Sequence, residues 1–262
     1  MIGAFTTTFD EVEWVRAIAP QLAVFDHAVV VGAATPIYWQ LEGTPTPPHA
    51  ELQAICDEFG LSFIACEDRR GGVAQFGAQR QAGMNYLKQL GCESAAWFAP
   101  DELFTIDNVK LLRDAMRAAP NILTLPFAFH TLWWNEHWEV AYWRPFTGLP
   151  ISYSCFDQDT GAHDRHLAAH RDGPFNFAPV TCWHFAFARS DAEMHRKLHS
   201  WGHADSKELS EGHWRHWDEW EPGRSMFWPS ANDPPIRVVD ELPPELRSRL
   251  KTILPTLRRK YE

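Results

Sequence analysis

Two adjacent carboxylates, Asp101 and Glu102, directly follow a short apolar run in this chain. The run covers residues 94–99 and is rich in aromatic residues, which is typical of a buried strand, and Pro100 ends it. Ligands bind at the carboxyl ends of the strands in an open α/β sheet, where acidic side chains can hold a divalent cation against a phosphate. The sequence therefore predicts a cation- and phosphate-binding site after this strand.

Helical patterns flank the strand on both sides. Before it, apolar residues recur at helical spacing until Gly91, which stands where a left-handed C-terminal residue belongs. After it, Val109, Leu112 and Met116 repeat on one face, and Pro120 ends the helix. The carboxylates are thus predicted to lie between two helices that cover the sheet.

The first part of the chain alternates between strand and helix patterns. Strands are predicted at residues 2–6, 28–34 and 61–66, and helices at about residues 10–19 and around Leu52, Ile55 and Phe59. This order predicts an α/β fold with a largely parallel sheet and right-handed crossovers. Gly-x-Gly-x-x-Gly, Walker and Gly-x-Ser-x-Gly motifs are absent from the sequence, which weakens dehydrogenase, P-loop kinase and α/β-hydrolase interpretations.

Two motifs in this region resemble the nucleotide-sugar half of GT-A glycosyltransferases of the family-two type. That family commonly shows an Arg-Asn-x-Gly helix and then a strand ending in Asp-x-Asp-Glu. Residues 80–83 (RQAG) and Asp101-Glu102 occupy these places, with Gln81 for the usual Asn and Ala99 for the first Asp. The resemblance implies a GT-A, Rossmann-like fold in one domain, with a nucleotide-sugar half (residues 1–120) and an acceptor half (residues 121–262).

In the resembling family, loops after the first three strands wrap the nucleotide. Their positions here are residues 6–11, 32–35 and 67–70. The residues that the resemblance thereby assigns to the nucleotide sugar are Thr6, Thr8, Glu11, Gly32, Asp68, Arg80, Asp101 and Glu102. For Asp68, a solvated charged turn with its arginine neighbours is an equally open interpretation.

A second informative segment covers residues 180–206. It begins as a strand, and Ser190 with Glu193 has the spacing of a helix N-terminus. Three features of this segment resemble a segment of several GT-A enzymes: Trp183-His184-Phe185, Lys197-Leu198 and the terminal His203. In those enzymes a late histidine returns to the metal or the diphosphate. The resemblance implies Mn²⁺ or Mg²⁺ held by Asp101 with His203 or His184. Alternatively, His184 is a hydrogen-bonded core residue, and the helical His195 and His199 are exposed.

Tryptophan and histidine, 13 of each, lie mostly beyond residue 130. Around residues 133–140, tryptophans alternate with polar residues, which predicts an alternating strand or hairpin. Such a surface could stack an acceptor sugar or a base, because both present a flat face to an aromatic ring. Packing of large aromatic side chains under long loops is the alternative.

The resemblance also implies an inverting reaction with a single carboxylate base. The nucleoside diphosphate leaves with growing negative charge, which a bound cation would neutralise, and the base takes the acceptor proton. Candidates for the base are Asp218, Glu219 and Asp164, in that order. Two other functions stay open: a phage-type glycosyltransferase acting on a modified DNA base, and a catalytically inactive protein that binds a nucleotide sugar or a glycan.

Composition and charge narrow the class of protein. A net charge of −10 and a pI near 5.7 argue against broad binding to nucleic acid. The five cysteines lack Cys-x-x-Cys spacing, so neither a disulfide framework nor a zinc knuckle is indicated. No apolar run approaches membrane-spanning length, and the N-terminal region is acidic where a signal peptide is basic. We therefore expect a soluble cytoplasmic enzyme, with its oligomeric state open.

Overall fold

The computed structural model describes residues 1–43, 45–118, 125–139, 146–152, 180–201, 204–225, 235–238 and 241–259. The strands in these ranges are β1 Ile2–Thr8, β2 His27–Ala33, β3 Ser62–Cys66, β4 Ser94–Phe98, β5 Glu102–Leu103, β6 Leu125–Trp133, β7 Trp138–Glu139, β8 Phe146–Ser152, β9 Thr181–Phe187 and β10 Ile236–Arg237. The helices are α1 Val12–Leu22, α2 His49–Phe59, α3 Gly72–Gln89, α4 Ile106–Ala118, α5 Asp191–Leu198, α6 Lys207–Asp218 and α7 Pro244–Arg249. None of these helices is long and apolar enough to cross a membrane.

The first half of the sheet is parallel, as predicted. Strands β3, β2, β1 and β4 are neighbours in that order, and every pair among them is parallel. The sheet continues through β8, which is antiparallel to both β4 and β6. Strand β9 runs parallel to β6 and antiparallel to β5. The α/β class is therefore confirmed, and the carboxyl ends of β1, β2 and β4 meet at one edge.

Both faces of β1, β2 and β4 are buried, which explains their mostly apolar sequences. On one face, Ala4 and Val30 belong to a core that includes side chains of α1, α2 and α4. On the other face, Phe5 and Val29 pack with Met84 and other side chains of α3. Helix α3 begins earlier than the sequence pattern predicts and lies close against the sheet.

The close approach of α3 to β1 depends on Gly83. A Cβ atom at Gly83 would lie 2.6 Å from Cδ2 of the buried Phe5 ring. We expect Gly83→Ala to lower the free energy of unfolding by about 1–3 kcal/mol through overpacking. Gly212→Ala, on α6, is the matched control, because its Cβ would meet nothing within 4 Å. Urea unfolding of both variants measures the difference, and equal stabilities would contradict the packing account.

The described aromatic residues between Trp133 and Trp220 form a packed core. Strands β6 and β7 make the predicted hairpin, and the side chains of Trp133, Trp134, Trp217 and Trp220 are fully buried. The rings of Trp134 and Trp220 meet edge to face with centroids 5.2 Å apart, and the Trp134 indole N–H donates to the carbonyl oxygen of Trp217 at 2.7 Å. For these four tryptophans the structure favours the packing interpretation over an open stacking surface.

Helix α5 begins where the sequence predicts. The Ser190 hydroxyl accepts a hydrogen bond from the Glu193 backbone N–H, and the Glu193 carboxylate accepts one from the Ser190 N–H, which completes a capping box. This cap fixes the turn from β9 into α5. It thereby places the end of β9 and one face of α5 against the carboxyl edge of the parallel strands.

Candidate functional site

A cavity of about 210 Å³ opens at the carboxyl edge of the parallel strands. Its walls come from the ends of β1, β2 and β4 and from helices α3 and α5. The side chains that matter for its chemistry are Thr8, Phe9, Asp10, Glu11, Phe76, Gln79, Trp97, Asp101, Arg189, Glu193, Arg196, Lys197 and Trp201. The cavity thus lies at the edge of the sheet where α/β proteins bind ligands.

Asp101 is the centre of an ion-pair cluster in this cavity. Its Oδ2 atom accepts hydrogen bonds from Arg189 Nη2 at 2.5 Å and from Lys197 Nζ at 2.8 Å. The same Arg189 nitrogen lies 2.8 Å from Oε1 of Glu11. Asp101 and Arg189 are almost fully buried, so water screens these charges little. The cluster joins the ends of β1, β4 and β9 to helix α5.

The environment shifts the pKa values of these groups in different directions. Burial alone would raise the pKa of Asp101, but the charges of Lys197 and Arg189 outweigh it and hold that pKa well below its usual range. Burial raises the pKa of Glu11 even though Arg189 opposes the shift. Burial and the charge of Arg189 lower the pKa of Lys197. Asp101 therefore stays ionised, whereas Glu11 takes up a proton more readily than an exposed glutamate does.

The predicted metal ligands are partly brought together. His184 Nε2 lies 3.6 Å from Asp101 Oδ1, whereas His203 lies outside the described residues. As the side chains stand, this arrangement does not fit a divalent cation, because the Oδ2 atom of Asp101 already contacts Arg189 and Lys197. A cation there would have to displace both. The metal role of Asp101, His184 and His203 stays a prediction.

The predicted nucleotide-binding residues divide into two groups. Thr8, Glu11 and Asp101 line the cavity. The others lie outside its wall: Thr6 is buried within β1, Gly32 packs against Phe63 and His49, Asp68 forms an ion pair with Arg70 in a loop, and the Glu102 carboxylate accepts the Ala99 N–H at 2.9 Å. For Asp68 this geometry matches the charged-turn interpretation. For Glu102 it indicates a role in fixing the turn after β4.

Arg80 lies behind the cavity wall. Its guanidinium carbon is 3.6 Å from the ring centroid of Phe76 and 3.8 Å from that of Trp97, so the cation contacts both aromatic rings. Phe76 and Trp97 themselves line the cavity. The Arg-x-x-Gly segment therefore acts on the site indirectly: Arg80 orients two aromatic walls, and Gly83 lets α3 approach the sheet.

The two predicted base candidates among the described residues, Asp218 and Glu219, do not lie in the cavity wall. Asp218 is at the end of α6, where its carboxylate pairs with Arg258, and Glu219 is an exposed neighbour. Asp164 lies outside the described residues. The assignment of the base to Asp218, Glu219 or Asp164 stays a prediction.

Sequence reasoning missed Arg189 and Arg196 as cavity residues. Arg189 follows β9 and precedes the cap Ser190, so its position at a strand end next to a helix start was the available signal. The sequence could not show that β9 lies beside β5, a pairing that carries Arg189 to Asp101. Arg196 pairs with Asp10 across the cavity mouth at 2.6 Å, a contact between segments far apart in the chain.

No family model matches this sequence, and no curated protein matches it. Among solved structures, TarS 1–349 from S. aureus is similar at 14% identity over 50% of this chain and 35% of that chain, with a TM-score of 0.33. The same protein in complex with UDP is similar at 10% identity over 80% of this chain and 68% of that chain, with a TM-score of 0.41. Mannose-1-phosphate geranyltransferase from Thermus thermophilus is similar at 10% identity over 80% and 67% of the two chains, with a TM-score of 0.30. These values describe a distant likeness of fold.

Proposed function

We propose that the cavity binds a nucleoside diphosphate sugar and that the chain transfers the sugar to an acceptor hydroxyl. The observation that carries this proposal is the coincidence of two independent features. Two residues of the motifs that resemble family-two glycosyltransferases lie at the cavity: Asp101 is in its wall, and Arg80 is directly behind the wall residues Phe76 and Trp97. The cavity itself lies at the ligand-binding edge of a parallel sheet and is lined by both aromatic and cationic side chains.

The two kinds of wall suit the two parts of such a donor. Phe9, Phe76 and Trp97 offer flat apolar surfaces for the base or sugar ring. Lys197 and Arg189 offer positive charge to the diphosphate. Both cations line the cavity together with Arg196, so a bound diphosphate would meet positive charge from strand β9 and helix α5. A diphosphate would compete with Asp101 for Lys197, whose side chain is one-fifth exposed.

The transfer itself is a single displacement. The acceptor hydroxyl oxygen forms a bond to the anomeric carbon while the bond from that carbon to the diphosphate oxygen breaks, and the electron pair leaves with the nucleoside diphosphate. A carboxylate base takes the acceptor proton. Lys197 and Arg189 would stabilise the negative charge that develops on the leaving oxygen, which is where preorganised cations lower a barrier most.

A thermal-shift screen tests the proposal. Purified protein is heated with UDP-, GDP- and dTDP-sugars, each with Mn²⁺, with Mg²⁺ or with a chelator. We expect one nucleotide class to raise the unfolding temperature, because a ligand that binds only the folded state stabilises it. We also expect the shift to persist with the chelator, since the cations around Asp101 are already in place.

The remaining outcomes separate the alternatives. A shift that needs Mn²⁺ or Mg²⁺ and is lost in Asp101→Ala would support the predicted metal site instead. A shift without release of nucleoside diphosphate in the presence of acceptors would indicate a binding protein. The absence of a shift with every nucleotide sugar would contradict the proposed function.

A further inference from the structure

A second cluster of ionisable side chains lies outside the cavity, between helices α5 and α6. His195 on α5, His199 directly after α5 and Glu211 on α6 place one potential ligand atom each within 4.8 Å of one another. The two histidines are four residues apart, so they share one side of the helix. None of the three residues lines the cavity.

His199 has the geometry of a metal ligand. Its ring is fully buried, and its Nδ1 lies 2.6 Å from the carbonyl oxygen of His195, to which it donates. This bond leaves the lone pair on Nε2, which is buried and makes no hydrogen bond. A ligating histidine usually donates its other ring N–H to a backbone carbonyl in this manner. The nearest acid to Nε2 is Glu211, whose Oε1 is 3.4 Å away.

The partners of His199 supply the other ligands. The ring centroid of His195 lies 4.4 Å from that of His199, and the half-buried Glu211 presents a carboxylate from α6. The ring of Trp214 meets His195 edge-on at 4.9 Å and shields one side of the cluster. Ligand atoms around one zinc ion lie about 3.3 Å apart when each bond is about 2.0–2.1 Å. Small rotations of the partly exposed His195 and Glu211 side chains would close the remaining distance.

We propose that His195, His199 and Glu211 bind one zinc ion that joins helix α5 to helix α6. Two imidazoles and one carboxylate are a donor set that zinc accepts, with one coordination position left for water. The site is separate from the metal that the sequence predicts at Asp101, and it shares none of its ligands. The same helix α5 carries Glu193 and Lys197 on its cavity side. Zinc at this position would therefore stabilise the position of helix α5, which supplies Lys197 to the ion-pair cluster.

The test uses the full chain after removal of metal with a chelator and desalting. Isothermal titration with Zn²⁺ is compared for the wild type, His195→Ala and Glu211→Gln, and the unfolding temperature is measured with and without Zn²⁺. We expect one zinc ion per wild-type chain, a higher unfolding temperature with zinc, and an affinity lower by at least about 10- to 100-fold in each variant, since a direct ligand should cost no less than an outer-shell partner. Both substituted side chains are partly exposed, so these variants are expected to fold, which circular dichroism checks.

Glu208→Gln is the matched control. Glu208 lies on α6, as Glu211 does, but it is exposed and belongs to no cluster of possible ligands among the described residues. Its zinc affinity should equal that of the wild type. Absence of zinc binding by the wild type would overturn the proposal. Equal affinity in the wild type, His195→Ala and Glu211→Gln would overturn it as well, since zinc would then bind elsewhere.

Discussion

Asp101→Asn is expected to lower the free energy of unfolding by about 3–5 kcal/mol, the usual cost of removing one partner from a buried ion pair. The substitution keeps the shape of the side chain but removes the charge that faces Arg189 and Lys197. Arg189 is almost fully buried, so it cannot turn to water instead. Unfolding in urea measures the loss, and Asp205→Asn, at an exposed aspartate, is the control.

We also expect the free energy of unfolding of Asp101→Asn to depend on pH less steeply than that of the wild type. The pKa of Asp101 in the folded state is lowered, so the native state binds its proton less readily than the unfolded state, where the pKa is about 3.9. The stabilisation from Asp101 is therefore fully present above that unfolded value and is lost as the pH falls toward the folded value. Wild-type stability should decline in this acidic range more steeply than that of Asp101→Asn. Parallel declines, or a stability loss under about 1 kcal/mol at neutral pH, would show that the ion pairs contribute little.

Lys197→Met is expected to weaken donor binding by about 10- to 100-fold, which corresponds to the loss of a hydrogen bond to a charged group. The methionine keeps much of the side-chain volume but cannot donate to a phosphate. Arg189 still neutralises Asp101 in this variant, so the fold should be retained. Titration calorimetry with the nucleotide sugar identified by thermal shift measures the affinity.

Lys88→Met is the matched control for this prediction. Lys88 is an exposed lysine on α3 and does not line the cavity. Its replacement should leave donor affinity unchanged. If both lysine variants bind the donor as the wild type does, Lys197 does not contact the diphosphate and the cavity does not bind the donor as proposed.

The parallel half of the fold was predictable because its signals are local. Strands β1, β2 and β4 are buried on both faces, so their sequences are mostly apolar, and the intervening helices repeat their apolar residues at helical spacing. The start of α5 was predictable for the same reason, since Ser190 and Glu193 form a cap within four residues. The end of α1 was placed too early, because Pro20 lies inside the helix, which continues to Leu22.

The chemistry of the site was less predictable because it depends on contacts between distant segments. Asp101 is visible in the sequence as a carboxylate after a strand, which favours a metal ligand. Its two cationic partners follow about ninety residues later and reach it because β9 pairs with β5 and α5 folds back over the sheet edge. His199 shows the same limit: the helical spacing of the histidines was evident, but its complete burial was not.

Release of nucleoside diphosphate shows directly whether the chain transfers sugar from a nucleotide donor. The purified chain is incubated with UDP-, GDP- and dTDP-sugars, with a mixture of sugar and small-molecule acceptors, and the free nucleoside diphosphate is quantified for the wild type, Lys197→Met and Lys88→Met. We expect release from one class of donor, strongly reduced in Lys197→Met and unchanged in Lys88→Met. If the folded wild-type chain binds none of these donors and releases nucleoside diphosphate from none of them, the proposed glycosyltransferase function is contradicted.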